Sequence, residues 1–209
     1  MQLTLRQRGS SVIEPSQPEC ADLHRLAPSH AVARPRQRGF TLIELMITVT
    51  IAVVLIMIAV PSFKTLTLSN KLTTTANDMI GAINTARMEA IKRNANTQFC
   101  SNSATSNTGD TLGAGCGTQT GAVVALTGGA ASVVRAGPTG IADPLQLKGN
   151  VTALRFSGQG LGHTVASTAP YEGTVVDICT ASISKDNHRV IKMIAGSILE
   201  TTTSSGACP

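Results

Sequence analysis

Apolar and polar positions divide the chain into three regimes. Residues 1–33 mix Pro, Ser, His and Arg with no apolar periodicity, and a segment that cannot bury apolar surface is read as unstructured. Residues 40–60 (FTLIELMITVTIAVVLIMIAV) are apolar with a single charge, Glu44. A helix of that length spans roughly 30 Å, the thickness of a bilayer core. Beyond it, Leu68, Leu72, Ala76, Met79, Ile80, Ile83, Ala90 and Ile91 recur at three- and four-residue spacing. Lys71, Thr74, Asn77, Asp78, Asn84 and Arg87 fall on the other side. This pattern predicts an amphipathic helix over 69–95 that fades near Asn94-Ala95-Asn96. Pro61, between the two halves, has no N–H to donate and predicts a kink where the helix leaves the bilayer.

From Thr97 the period changes. Short β-favouring runs occur at 97–100, 121–126, 131–135, 151–157, 174–179 and 188–195, separated by Gly, Pro, Asn and Ser. One long helix followed by short strands predicts an α+β chain with an antiparallel sheet wrapped on that helix. Residues 101–120, rich in Ser, Thr, Asn and Gly, read as a surface loop.

Charge sharpens the membrane reading. The net charge is +5, but six arginines face only Glu14, Glu19 and Asp22 before position 40. Afterwards eleven Lys/Arg face nine Asp/Glu. Arg34, Arg36 and Arg38 stand directly before the apolar run, and cationic flanks stay cytoplasmic. That places the N-terminus inside and the body outside the inner membrane. A secretory signal peptide has a shorter apolar stretch and a small-residue cleavage site after it. Here Pro61-Ser62-Phe63-Lys64 follows.

Cys20 lies upstream of the apolar run, and Cys100, Cys116, Cys179 and Cys208 lie downstream. Four cysteines in an oxidising compartment permit three pairings. Local loop closure favours Cys100 with Cys116 and Cys179 with Cys208. No pair has CxxC spacing, so no metal site is read here.

Arg38-Gly39-Phe40-Thr41-Leu42-Ile43-Glu44, the apolar run and Pro61 together resemble the class III leader and N-terminal helix of type IV pilins and type II secretion pseudopilins. The stretch ARMEAIKRN (86–94) is similar to a segment of the GspH/FimT branch, which includes FimU-like minor pilins. The resemblance implies a pilin-like fold with residues 1–39 as a cleaved leader, 40–60 as the transmembrane and assembly helix, 61–96 as its amphipathic continuation, and 97–209 as a periplasmic β domain. It implies that prepilin peptidase cuts between Gly39 and Phe40 and N-methylates Phe40. Glu44 would meet the amino terminus of a neighbouring subunit, as a buried carboxylate requires an opposite charge. Partners would be that peptidase, other pilins or pseudopilins and the inner membrane. Leaders of the family are usually shorter, and initiation at Val32 would leave eight residues ending in Arg38-Gly39.

No catalytic motif is present: no GxSxG, HExxH or phosphate loop occurs, and only His163 and His188 follow the leader. A structural subunit without a cofactor is expected. FimT-type minor pilins bind DNA through a Gly-Arg-x-Arg motif, of which His188-Arg189-Val190-Ile191 holds half. Lys185, Arg189 and Lys192 are therefore the candidate nucleic-acid contacts. In a strand Arg189 shares a face with Ile191, and His188 with Lys192, so the cations diverge. A charged, solvated strand edge is the competing reading.

Overall fold

The computed structural model describes residues 39–209, so the leader, apart from Gly39, lies outside the described residues. A single helix, α1 (Leu42–Arg93, 52 residues), holds both halves read from the sequence, with Pro61 inside it. Pro61 forfeits one backbone bond in the ladder, but the helix continues to Arg93. It ends at Asn94, whose left-handed backbone (φ 47, ψ 42) returns its N–H to the last turn. Asn tolerates that conformation at little cost, which makes it a common stop.

The second half of α1 is buried along one stripe: Leu68, Leu72, Ala76, Met79, Ala82, Ile83, Ala86 and Ala90. Four of these are alanines, so strands approach the helix backbone closely. Ile91, expected on that stripe, is 49% exposed and leans instead on Gly160, where an added Cβ would lie 2.7 Å from its Cδ1.

Two antiparallel sheets pack on this stripe. The first runs β3-β2-β1-β5-β6, from β1 (Thr97–Phe99), β2 (Val123–Thr127), β3 (Ala130–Arg135), β5 (Leu154–Phe156) and β6 (Gly162–Thr164). The second runs β4-β7-β8-β9, from β4 (Gln146–Leu147), β7 (Gly173–Cys179), β8 (His188–Ile194) and β9 (Ile198–Ser204). Phe99, Leu154 and Phe156 from the first and Val176, Ile178, Ile191 and Met193 from the second share one core with α1.

The segment 101–120 is more than a loop. It carries a 3-10 turn (Ala104–Ser106) and a short helix, α2 (Thr111–Cys116), capped by Asp110, whose carboxylate accepts the Gly113 N–H at 2.9 Å. Leu112 and Cys116 of α2 cover the outer face of the first sheet over Cys100, Ala122 and Val124. Disulfides join Cys100 to Cys116 and Cys179 to Cys208.

The strand-edge reading of 188–192 is corrected by the topology. β8 lies between β7 and β9, and the edge belongs to β9, a strand the hydrophobic pattern did not reveal.

Candidate assembly site

Among the described residues none covers the apolar half of α1. Fifteen large apolar side chains between Phe40 and Val60 are exposed, from Phe40 at 78% to Val53 at 44%. Burying such a side chain is worth about 1.5–3 kcal/mol each, so together they demand an apolar environment. Among the described residues α1 is the one helix long and apolar enough to cross a membrane. Its hydroxyls are already satisfied: Thr48 Oγ1 donates to the Leu45 carbonyl at 2.9 Å and Thr50 Oγ1 to that of Met46 at 2.7 Å. Neither would enter lipid with an unmet hydrogen bond.

The start of the helix concentrates the polar chemistry. Thr41 is the N-cap, with an extended backbone (φ −75, ψ 149), and its Oγ1 accepts the Glu44 N–H at 3.2 Å. Glu44 thus sits in the first turn, where its carboxylate complements the partial positive charge of the helix end. Its side chain is exposed, with no partner among the described residues. Gly39 precedes the cap, and a Cβ built there would meet no atom within 4 Å. Gly39, Phe40 and Glu44 therefore form one accessible cluster at the tip of the rod.

The other sequence candidates lie apart from this tip. Arg189 is 8% exposed and turned onto α1. Its Nη2 donates to Ser69 Oγ at 3.0 Å, Nε to Thr73 Oγ1 at 3.3 Å, and Nη1 to the carbonyls of Asp186 and His188 at 2.9 and 3.0 Å. Lys185 and Lys192 are exposed. The three cations do not converge on one surface.

The residues that fix the body to the rod are polar ones with no signal of their own in the apolar pattern. The charged members of ARMEAIKRN are the main ones. Arg87 Nη1 donates to the Ser197 carbonyl at 3.2 Å, in the turn between β8 and β9. Arg93 Nε donates to Glu89 Oε2 at 2.7 Å, and its Nη1 to Thr127 Oγ1 at 3.1 Å, at the end of β2. The Arg93 bond holds the Glu89 carboxyl below its ordinary range. The motif ties one helix end to both sheets. From β3, Arg135 adds bonds to Thr85 Oγ1 at 3.1 Å and the Asp78 carbonyl at 3.3 Å. Buried Thr97 donates to the Ala86 carbonyl at 2.6 Å.

Comparison with known families agrees with both parts. A family described as the prokaryotic N-terminal methylation motif matches residues 34–60, the arginine flank, the tip and the apolar half of the rod. The family described as type II transport protein GspH matches residues 75–196, more than half of the chain. No curated protein and no solved structure matches it. Since the second match spans the helix end, the motif that binds it, the first sheet and the second sheet as far as β8, the chain belongs to the GspH family, as a minor pseudopilin or pilin subunit of the type IV pilin superfamily.

Proposed function

We propose that this chain is made as a single-pass inner-membrane precursor with residues 1–39 cytoplasmic and the β body periplasmic. Prepilin peptidase removes the leader between Gly39 and Phe40 and methylates the new amino terminus of Phe40. The apolar half of α1 then leaves lipid for the core of a filament, where other helices replace the acyl chains. There Glu44 pairs with the amino terminus of a neighbour. The subunit helps to prime or cap the filament. It acts by placement, not by catalysis.

The observation that carries this reading is the uncovered apolar half of α1, built without a break onto a half that is stapled into a folded body. Such a rod suits both lipid and a bundle of like helices. Intact-mass measurement of the chain from cells with and without prepilin peptidase tests it. The expected product begins at methylated Phe40 only when the peptidase is present; an unprocessed chain in both strains would overturn it.

Two filaments compete for the subunit. One is a FimT/FimU-like place in a type IV pilus, which ARMEAIKRN, a segment of the whole GspH/FimT branch, fits as well as it fits the other. The type II transport role printed for the matched family supports a place as the H-type minor pseudopilin of protein secretion. Deleting the gene separates them by which process fails, surface pilus functions or export. DNA binding is not part of the proposal, because Arg189 is already committed to Ser69 and Thr73.

A further inference from the structure

The outer side of β9 is unused. β9 pairs with β8 over all seven residues without a register shift, and among the described residues no strand lies on its other side. Ile198, Glu200, Thr201, Thr203 and Ser204 are exposed, and Leu199 and Thr202 are half-buried. About half of its N–H and C=O groups therefore face outward with no ladder partner.

Edges of this kind are normally blunted, and the others here are. β4 has two residues and β6 three. β3 pairs across a bulge at Val123/Val124 and turns Arg135 onto α1. β9 is lightly guarded: it has no Pro, no Lys and no bulge, and its single charge, Glu200, is paired in register with Lys192. It is also held straight from both ends. The turn at Ala195 and Gly196 (φ 50 and 68) precedes it, with Arg87 on the Ser197 carbonyl. After it, the Asp186 N–H donates to Ser205 Oγ at 2.7 Å, and the Asn187 amide exchanges bonds of 2.9 and 3.0 Å with the Gly206 backbone. The Cys179–Cys208 disulfide then fixes the tail over β7. An edge ordered before any partner arrives does not lose that entropy on binding.

We propose that β9 is a docking edge on which a neighbouring filament subunit adds an extended strand. This rests on the reading above that the chain assembles among pilin-type subunits. Free main-chain donors and acceptors in a row complement an extended polypeptide. The direction of the edge selects a subunit beside this one. Arg189 binds Ser69 and Thr73 near one end of the hairpin, and Arg87 meets Ser197 at the other, so β8 and β9 run lengthwise along α1. The free edge therefore faces a neighbour whose helix lies alongside. The added strand would carry hydroxyl or β-branched residues opposite Thr201 and Thr203, and no acid opposite Glu200.

The test uses the full chain in cells that assemble the filament, with a photoreactive benzophenone amino acid in place of Thr202. The expected product joins this chain to another subunit bearing a processed pilin-type amino terminus. Its yield should fall about tenfold, the equivalent of one decade in Kd, when Thr201→Lys and Thr203→Lys guard the edge. Amide exchange of residues 198–204 in wild-type filaments, against the full chain in detergent, decides without any variant. Slowing supports the docking edge. A chain that is processed and incorporated yet shows unslowed β9 amides, or crosslinks only to lipid or to its own second copy, overturns it alone. A chain that is never processed and never incorporated overturns the earlier reading with it.

Discussion

Arg189 Nη2 donates to Ser69 Oγ at 3.0 Å, joining residues 120 positions apart across the interface of β8 and α1. Ser69 lies just beyond Thr67, where the continuous exposed run of α1 ends, so the bond fixes the body where the rod enters it. Arg189→Ala removes a guanidinium with four bonds from a buried site, a loss of roughly 2–3 kcal/mol. The full chain in detergent should melt roughly 4–10 °C lower. Arg189→Lys keeps the charge but not the fork that reaches Ser69 and Thr73 together, so it should recover only part of the loss. Duplex DNA retention in a gel shift should not distinguish the variants.

Asp110 gives a prediction in pH. Arg155 Nη1 lies 2.8 Å from Asp110 Oδ2, and the Arg155 bond, with the Gly113 N–H behind it, holds this carboxyl below its ordinary range. Glu89 is lowered in the same direction by Arg93. A carboxyl whose pKa is depressed by folding stabilises the folded chain above its unfolded value, near pH 4, and that stability disappears as pH falls through the depressed value. Both groups act in the same acid window. Melting temperature should be flat from neutral pH to about 5 and drop below it. Asp110→Asn, which keeps a capping side chain but loses the ion pair, should flatten that drop. Asp110→Ala should cost about 1 kcal/mol more through the lost cap.

The tail is held by a bond that chemistry can open. Cys179 and Cys208 close a loop of 29 positions. In the chain-entropy account a loop of that size is worth about 3–4 kcal/mol. Cys208→Ser should lower stability by that order. It should also raise protease cleavage after β9, since Asn187 and Asp186 alone would then hold the tail. A dithiol should reproduce the cleavage after β9 in the wild type without raising it further in Cys208→Ser, whereas its effect on stability should be larger than the variant's, because it also opens Cys100–Cys116.

The long helix was legible because its signal is redundant: apolar run, amphipathic stripe and the Asn94 stop all agree. Six strands were legible from β-branched runs. The missed elements share a cause. α2 reads Thr-Leu-Gly-Ala-Gly-Cys, and its glycines suggest a loop. Gly113 is there because an added Cβ would strike the Asn107 carbonyl. The available clue was Asp110 as a cap. β9 is a hydroxyl run with no buried face, so no hydrophobic period could announce it. β6 hides in the alternating glycines around Gly160 and Gly162. The place of Arg189 was half legible: its face was predictable from Ile191, but not that the face turns inward onto Ser69, which only the pairing of β8 with β9 decides.

Gly39 lies in open space, so substitution there cannot act through the fold. Gly39→Val should leave the melting temperature of the precursor unchanged while leader removal fails. Intact mass would show the uncut chain. A normally processed Gly39→Val protein would move the cleavage junction elsewhere.

Glu44 offers the sharpest separation of anchoring from assembly. An acid in a membrane helix costs about 2.5–3.5 kcal/mol at the bilayer centre and less near its end. Glu44→Gln therefore inserts at least as well as the wild type. The N-cap is untouched, because Thr41 bonds the backbone N–H of residue 44 and not its side chain. Helix, membrane anchoring and leader removal should all persist. What disappears is the negative charge that a neighbour's amino terminus would meet in an apolar core, where an unpaired ammonium is costly. Incorporation into sheared filaments should fall about tenfold or more, since each 1.4 kcal/mol of lost pairing is one decade. Glu44→Asp, one methylene shorter, should lie between. If Glu44→Gln enters filaments at the wild-type level, the carboxylate has no part in docking, and the tip of α1 is held by its apolar side chains alone.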